Sequence, residues 1–385
     1  MAKKAGVSQV DSVQKLMDII NTKFKKKIAT SLDDAGCANV KRFVSSGSAV
    51  LDMLATNRIN SGCFPEGRIS TIEGQEQTGK TLVAAHACAD VLRRDGTVIY
   101  IDKEHAVDRN FFKRVGVDTS KMIYVDDLEY MEEVMDFVEQ VAVAHRNIEP
   151  NDLFAVVWDS VAATPTKAEV NGEYDDKYYA ECAKVLAQSL RKLTKVVEDN
   201  KVTMIAINQL KTKIPRPGER VFGEQLKAYG GAALPFHASL RIRLKNCGTI
   251  KDKYDNILGT QTDAKIIKSK FGPSHRSCIL KIYYSHGVDD SDSWFDILKK
   301  YEKITKPNAT CFGCPELLGE EEFQTKQWNE HIKDPEFRKK VIELLEKTIV
   351  IDYDKIDVGE LVVSNIDPDS LDEVEAARNI LKEGV

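Results

Sequence analysis

The sequence contains no long hydrophobic run, and this excludes a large class of proteins. In its 385 residues no apolar segment approaches the length that crosses a bilayer, and Met1-Ala2-Lys3-Lys4 leads into polar residues instead of an apolar signal core. We therefore predict a cytoplasmic protein without a membrane partner.

The cysteines and histidines do not show the spacing of a disulfide framework or of a metal site. The eight cysteines are scattered, and Cys88 and Cys182 lie in apolar helical patterns, which is typical of small buried side chains in a reducing compartment. Cys311-Phe312-Gly313-Cys314 is a C-x-x-C motif without a second pair, so two ordinary thiols in a turn are favoured over a metal site. The seven histidines show no ligand-like spacing, and we predict no zinc site.

The charge is nearly balanced in total but unevenly distributed. The net charge is −5, yet residues 1–45 hold nine Lys or Arg against four Asp or Glu, and residues 351–385 hold three against ten. Such runs are commonly solvated faces or solubilising tails, so neither identifies a partner.

Residues 9–27 show apolar side chains at helical spacing, which predicts a basic amphipathic helix. Its stripe can pack on its own domain or, beyond the linker at 33–36, on a neighbouring subunit.

The middle of the chain has the pattern of an α/β protein. Short β-branched runs at 98–102, 122–125, 153–159 and 202–208 alternate with helical segments, which indicates a parallel sheet covered on both faces. Strands around 237–245, 263–269 and 278–284 follow without helices between them and predict an antiparallel extension. We divide the chain into an N-terminal segment (1–40), a core (41–290), a small α-rich domain (291–350) and an acidic tail (351–385).

One motif constrains the function more tightly than the fold does. The stretch from Gly74 to Thr81 fits G-x-x-x-x-G-K-[ST], between a predicted strand at 68–73 and a helix that starts at Thr81. In such a phosphate-binding loop the backbone N–H groups surround the phosphates, the lysine reaches the outer ones and the hydroxyl ligates Mg²⁺. The predicted nucleotide-binding residues are Gly74, Gln75, Glu76, Gln77, Thr78, Gly79, Lys80, Thr81 and Leu82.

Polar residues at the ends of the predicted strands extend this site. Ligands of a parallel sheet bind beyond the carboxyl ends of its strands. Asp159 follows an apolar strand in the Walker B pattern and is predicted to hold Mg²⁺ together with Thr81. Glu104 is the candidate base that orients the attacking water, and Asn208-Gln209 is an amide pair that could detect the γ-phosphate. We add Asp108 to the nucleotide-binding set.

Two polar segments are candidates for contact with nucleic acid. Residues 210–231 form a long predicted loop in which basic side chains alternate with apolar ones, a combination that suits a phosphate backbone and stacked bases. Its basic residues are Lys211, Lys213, Arg216, Arg220 and Lys227. Another predicted loop, at about 167–179, carries a weaker signal. It is the first of the two along the chain, and the loop at 210–231 is the second.

Together these motifs resemble the RecA family of recombinases. The resemblance covers roughly residues 40–290 and includes Ser46-Gly47-Ser48, the phosphate loop, the segments at 100–106, 159–163 and 207–209, and 229–241. It implies a RecA-like ATPase core that uses ATP and Mg²⁺, polymerises as a helical filament on single-stranded DNA and pairs it with homologous duplex DNA. Single-strand-binding and loader proteins are further partners of the family, and a bacterial or phage-infected cytoplasm would be the compartment.

The resemblance also implies individual roles. Lys80, Glu104 and Gln209 match catalytic or sensing positions, and Phe111 falls where the family places an aromatic residue near adenine. Lys268 and Lys270 match paired lysines that reach the ATP of the adjacent subunit, although a solvated strand edge is the alternative interpretation. The implied DNA-binding set is Lys184, Arg191, Lys211, Lys213, Ile214, Arg216, Arg220, Gly230 and Gly231. Phe236 resembles an interface residue, and the N-terminal helix would pack on the next protomer.

Some features depart from the family pattern. The second loop carries Pro215 and Pro217, the first carries Tyr178-Tyr179, and residues after about 300 match poorly. Two other functions stay open at this point. A ring-forming helicase-like motor would share the phosphate loop, and a recombination mediator would bind DNA without ATP turnover, although the intact Lys80, Glu104 and Asp159 count against the mediator.

Overall fold

The computed structural model describes residues 9–32, 40–59, 61–172, 178–212, 226–308 and 310–353. The chain separates into two units, of which the first, Met1–Lys41, contains helix α1 (Gln9–Phe24) and the second begins at Arg42. Five apolar residues of α1 are 51–77% exposed: Val10, Val13, Leu16, Ile19 and Phe24. In the described residues no helix is both long and apolar enough to cross a membrane.

The second unit is built on one large mixed sheet. The strands of the chain are β1 (Phe43–Val44), β2 (Phe64–Pro65), β3 (Arg68–Gly74), β4 (Thr97–Asp102), β5 (Met122–Val125), β6 (Phe154–Asp159), β7 (Val202–Thr212), β8 (Leu226–Ala228), β9 (Leu240–Lys251), β10 (Ile257–Ser269), β11 (Ser277–Tyr283), β12 (Gly287–Asp289), β13 (Phe312–Gly313) and β14 (Glu322–Phe323). The large sheet has the order β12-β11-β10-β9-β3-β7-β6-β4-β5, with β8 paired to the end of β7.

The direction of pairing divides this sheet into two parts. Strands β9, β3, β7, β6, β4 and β5 pair in parallel, whereas β9 to β12 pair antiparallel. The predicted parallel sheet with an antiparallel extension is therefore confirmed. Strand β7 continues past the predicted end at Asn208, because Leu210–Thr212 form an antiparallel ladder with β8. The predicted 210–231 loop is thus corrected at residues 210–212 and 226–228, which are strands, and residues 213–225 lie outside the described ranges.

Helices cover both faces of the sheet. They are α2 (Ala49–Thr56), α3 (Lys80–Arg93), α4 (Arg109–Val115), α5 (Met131–Ile148), α6 (Lys167–Asn171), α7 (Tyr178–Asp199), α8 (Ala233–His237), α9 (Ser291–Lys300), α10 (Pro315–Leu318), α11 (Thr325–His331) and α12 (Pro335–Ile349). Successive strand residues point to opposite faces, so Val157 joins the buried cluster around α3 while Val156 joins the cluster around α5 and α7. Apolar residues of α9, α11 and α12 belong to the α3 cluster.

Candidate nucleotide and DNA sites

The phosphate loop joins β3 to α3, as the motif predicts. At Gly74 an added Cβ would lie 2.5 Å from the carbonyl oxygen of Leu244, so only glycine fits beside β9. Gly79 has φ +87°, and its Cβ would lie 2.5 Å from Ile282 Cδ1. The antiparallel extension therefore packs directly against the loop.

Lys80 and Thr78 hold the loop together from inside. Both side chains donate to the carbonyl oxygen of Gln75, at 2.6 Å from Lys80 Nζ and 2.9 Å from Thr78 Oγ1. Burial lowers the pKa of Lys80, while the charges of Glu104 and Asp159 oppose that shift. Glu76 and Gln77 are exposed, and Leu82 is buried in the core cluster. The lysine is thus a poorly solvated cation, for which a phosphate oxygen is a favourable partner.

Asp159 ends β6 directly opposite the start of α3. Its Oδ2 accepts hydrogen bonds from Thr81 Oγ1 at 2.8 Å and from the Tyr100 hydroxyl at 2.7 Å. Its Oδ1 is buried and has no hydrogen-bond partner in the described part of the chain. Burial raises the pKa of Asp159 to about 6, although both hydrogen bonds lower it. A buried carboxylate oxygen beside a threonine hydroxyl is a donor set that suits Mg²⁺.

Glu104 lies beyond the end of β4 and meets two neighbouring strands. Its Oε1 accepts a hydrogen bond from Ser160 Oγ at 2.5 Å and another from Gln209 Nε2 at 3.0 Å. The structure therefore brings the predicted base and the predicted sensor into direct contact. The backbone N–H of Glu104 donates to Asp102 Oδ1 at 3.1 Å, and this hydrogen bond fixes the turn after β4.

The residues predicted near the nucleotide base occupy the start of α4. Asp108 is the N-cap of this helix, and its Oδ1 accepts from the Phe111 N–H at 2.6 Å. Phe111 is half-buried and packs edge-on against Phe112, with ring centroids 6.3 Å apart. The observed contacts of Asp108 are those of a helix cap, which holds the Phe111 ring in place.

The predicted DNA residues that the structure describes lie around α7. Lys184 and Arg191 are exposed on this helix, and the Gly230-Gly231 pair packs on it with φ +76° and +70°. A Cβ at Gly230 would lie 2.2 Å from Leu186 Cδ1, so the close approach requires glycine. Lys211 Nζ lies 5.7 Å from the centroid of the Tyr229 ring. Four predicted residues lie outside the described ranges: Lys213, Ile214, Arg216 and Arg220.

The two lysines near the end of β10 stand beside α8. Lys268 Nζ donates to the carbonyl oxygens of Pro235 at 3.0 Å and Phe236 at 2.9 Å. Lys270 is exposed, and the Phe236 side chain is 76% exposed. Burial lowers the pKa of His237, and the positive charges of Arg191, Lys268 and Lys270 lower it further. Lys268 of β10, Lys270 just beyond it and Arg191 of α7 therefore share one positive region.

Comparison with known proteins assigns this arrangement to a family. The sequence model of the RecA N-terminal domain family matches residues 11–289. This chain belongs to the RecA family. It is 31% identical over 352 residues to Protein RecA of Nocardioides sp., which covers 91% of this chain and 96% of the relative. Protein RecA of Mycoplasma mycoides is 31% identical over 309 residues, which covers 80% and 85% of the two chains.

As a RecA-family member, the protein is a DNA recombinase and an ATP hydrolase. The helicase-like alternative is not favoured. The family assignment implies DNA binding and self-assembly, and it agrees with the strand-end carboxylates and the phosphate loop.

The fold creates three contacts to whose side chains the RecA resemblance gives no role above. Tyr100 and Ser160 donate to the two site carboxylates, and Glu73, directly before the phosphate loop, lies between Arg241 at 3.0 Å and Arg243 at 3.2 Å. The Glu73 and Arg241 side chains are only 2% and 4% exposed. Ser160 adjoins the Walker B aspartate and could have been suspected on that ground. Tyr100 lies in a run that reads simply as a buried strand.

Proposed function

We propose that this RecA-family protein uses ATP and Mg²⁺ to assemble as a helical filament on single-stranded DNA, and that the filament pairs with homologous duplex DNA and exchanges strands. The observation that carries the proposal is the 3.0 Å hydrogen bond between Glu104 and Gln209. It joins the candidate hydrolytic base to the strand that runs into the second DNA loop, so that ATP and DNA are sensed by one connected element.

In this proposal each side chain at the strand ends has one task. Lys80 neutralises the outer phosphates of ATP, and the phosphate-loop N–H groups bind the rest. Thr81 and Asp159 would hold Mg²⁺, which supplies charge neutralisation at the phosphates when bound. Glu104 accepts a proton from the attacking water, while Ser160 keeps its carboxylate oriented. Gln209 responds to the γ-phosphate and shifts the base of the second loop.

The link from Gln209 to the DNA loop is formed by backbone and amide contacts. The Tyr229 N–H donates to the Gln209 carbonyl oxygen at 3.3 Å, and Asn208 Nδ2 donates to the Tyr229 carbonyl oxygen at 3.0 Å. Tyr229 directly precedes Gly230 and Gly231, which pack against α7. A displacement of Gln209 would therefore reach Lys184, Arg191 and the loop between β7 and β8.

Self-assembly has support in the exposed apolar residues of α1, and Phe236 is a further exposed aromatic that could join such a contact. The apolar stripe of α1 is exposed, as is Phe236 beside Lys268. We propose that α1 packs on the next protomer and that Lys268 and Lys270 reach the ATP held by that neighbour. The site of action would be the cytoplasm, with single-strand-binding and loader proteins as further partners.

The first experiment is negative-stain electron microscopy of the protein with single-stranded DNA and a slowly hydrolysed ATP analogue. Continuous helical filaments are expected, whereas closed rings or DNA beside separate monomers would contradict the proposal. Omitting the nucleotide is the control, since the Gln209 link requires ATP for the DNA-competent state.

A mixing experiment tests the role of the lysine pair. Lys80→Ala should be inactive, as should the double variant Lys268→Ala, Lys270→Ala. If the lysines act on the neighbour's ATP, mixing the two proteins with DNA restores part of the ATPase activity, since some interfaces then combine an intact Lys80 with an intact lysine pair. No recovery in filaments shown to contain both proteins would contradict the trans role.

A further inference from the structure

The hydroxyl of Tyr100 makes a contact to which the family resemblance assigns no role above. Tyr100 is fully buried on β4, and its ring packs edge-on against Phe112 with centroids 5.3 Å apart. This packing fixes the direction of the hydroxyl, which donates to Asp159 Oδ2 at 2.7 Å. A phenol held in a fixed position beside the Asp159 carboxylate can control the orientation of that carboxylate.

The two oxygens of Asp159 have different surroundings. Oδ2 accepts from both Tyr100 and Thr81, whereas Oδ1 is buried without a hydrogen-bond partner among the described residues. A buried carboxylate oxygen without a partner is costly, and a metal ion or its water is the partner that this chemistry calls for. With Oδ2 fixed by two donors, the carboxylate has little freedom to rotate and exchange its oxygens.

We propose that Tyr100 is a positioning residue for the metal site, and that its hydroxyl fixes Asp159 so that Oδ1 stays available to Mg²⁺. The inference rests on the proposed use of Mg²⁺ by Thr81 and Asp159. It assigns Tyr100 no contact with ATP or the cation. Partners of this kind, which orient a metal ligand, typically change metal affinity by about 10- to 100-fold when they are removed.

The test is Tyr100→Phe, which removes one hydroxyl and leaves the ring to pack against Phe112. Binding of a fluorescent ATP analogue is measured at rising Mg²⁺ concentration and in EDTA, with thermal unfolding to verify the fold. We expect the Mg²⁺ concentration at half-saturation to rise about tenfold or more, while binding in EDTA is unchanged.

Tyr124→Phe is the matched control. Its hydroxyl donates at 3.0 Å to Asp102, a carboxylate at the end of the neighbouring strand that we do not place on the metal. This variant should show the Mg²⁺ dependence of the unaltered protein.

The outcomes separate the inference from the function on which it rests. A Tyr100→Phe curve that superimposes on that of the unaltered protein would overturn the positioning role, as would equal losses of nucleotide affinity with Mg²⁺ and in EDTA. If the unaltered protein binds the analogue with no response to Mg²⁺, the proposed metal chemistry itself fails, and the role of Tyr100 fails with it.

Discussion

The predicted nucleotide edge of the sheet and the predicted DNA-facing side around α7 use polar residues in opposite ways. At the nucleotide edge, Lys80, Asp159 and Glu104 are each held by hydrogen bonds within the protein. On α7, Lys184 and Arg191 are exposed to solvent. Hydrolysis depends on fixed geometry at one bond, whereas attraction of a polyanion depends mainly on charge. Substitutions should therefore have large, specific effects at the first region and small, salt-dependent effects at the second.

The largest effect is expected from Lys80→Ala. This change removes the only side-chain cation of the phosphate loop, so the charge that develops on the phosphates loses its principal partner. We expect no measurable ATP turnover in a steady-state assay with single-stranded DNA. ATP turnover near that of the unaltered protein would show that hydrolysis does not depend on Lys80.

Glu104→Gln should reduce the rate of hydrolysis by about 10²- to 10⁴-fold, the range typical of a lost general base. Glutamine retains the shape and can still accept from Ser160, so binding of nucleotide and of single-stranded DNA should persist. Single-turnover hydrolysis and fluorescence anisotropy measure the two properties. Glu320→Gln removes the same charge from an exposed position outside the site and serves as the control. Normal turnover in Glu104→Gln would reject the assignment of the base.

Glu73→Gln tests whether buried charge behind the phosphate loop behaves differently from exposed charge. The change removes the charge partner of the buried Arg241 and the half-buried Arg243, and loss of one partner of a buried ion pair costs about 3–5 kcal/mol in the free energy of unfolding. Glu316→Gln breaks the more exposed pair with Lys303, 2.6 Å long, and should cost less than about 1 kcal/mol. Denaturant titration of both variants measures the difference, and similar losses would contradict it.

The smallest effects are expected on α7. Lys184→Ala and Arg191→Ala should each weaken binding to single-stranded DNA modestly and reduce the slope of log affinity against log salt by about 0.7 per lost phosphate contact. Lys192→Ala is the matched control, since this lysine pairs with Glu139 of α5 at 2.7 Å. Unchanged salt slopes in the first two variants would place the DNA elsewhere.

The prediction that the polar residues of the predicted nucleotide site meet at one edge of the sheet follows from local motifs in the sequence. A glycine motif between a strand and a helix, and acids that directly follow apolar strands, determine their own positions once the sheet is parallel. The contacts that sequence reasoning missed depend on strand order and register. Tyr100 meets Asp159 because β4 lies beside β6, and Glu73 meets Arg243 because β3 lies beside β9. Neither neighbour relation is encoded in the short apolar runs themselves.

The β7–β8 ladder has a consequence for how such a protein can change over time. Three residue pairs, Leu210 with Ala228 through Thr212 with Leu226, close the base of the segment between them. Because lengthening a closed loop adds little entropic cost, residues can be inserted or exchanged beyond Thr212 while Gln209 keeps its place beside Glu104. The predicted DNA-binding segment is in this sense an exchangeable module, and Pro215 and Pro217 are places where it departs from the family pattern.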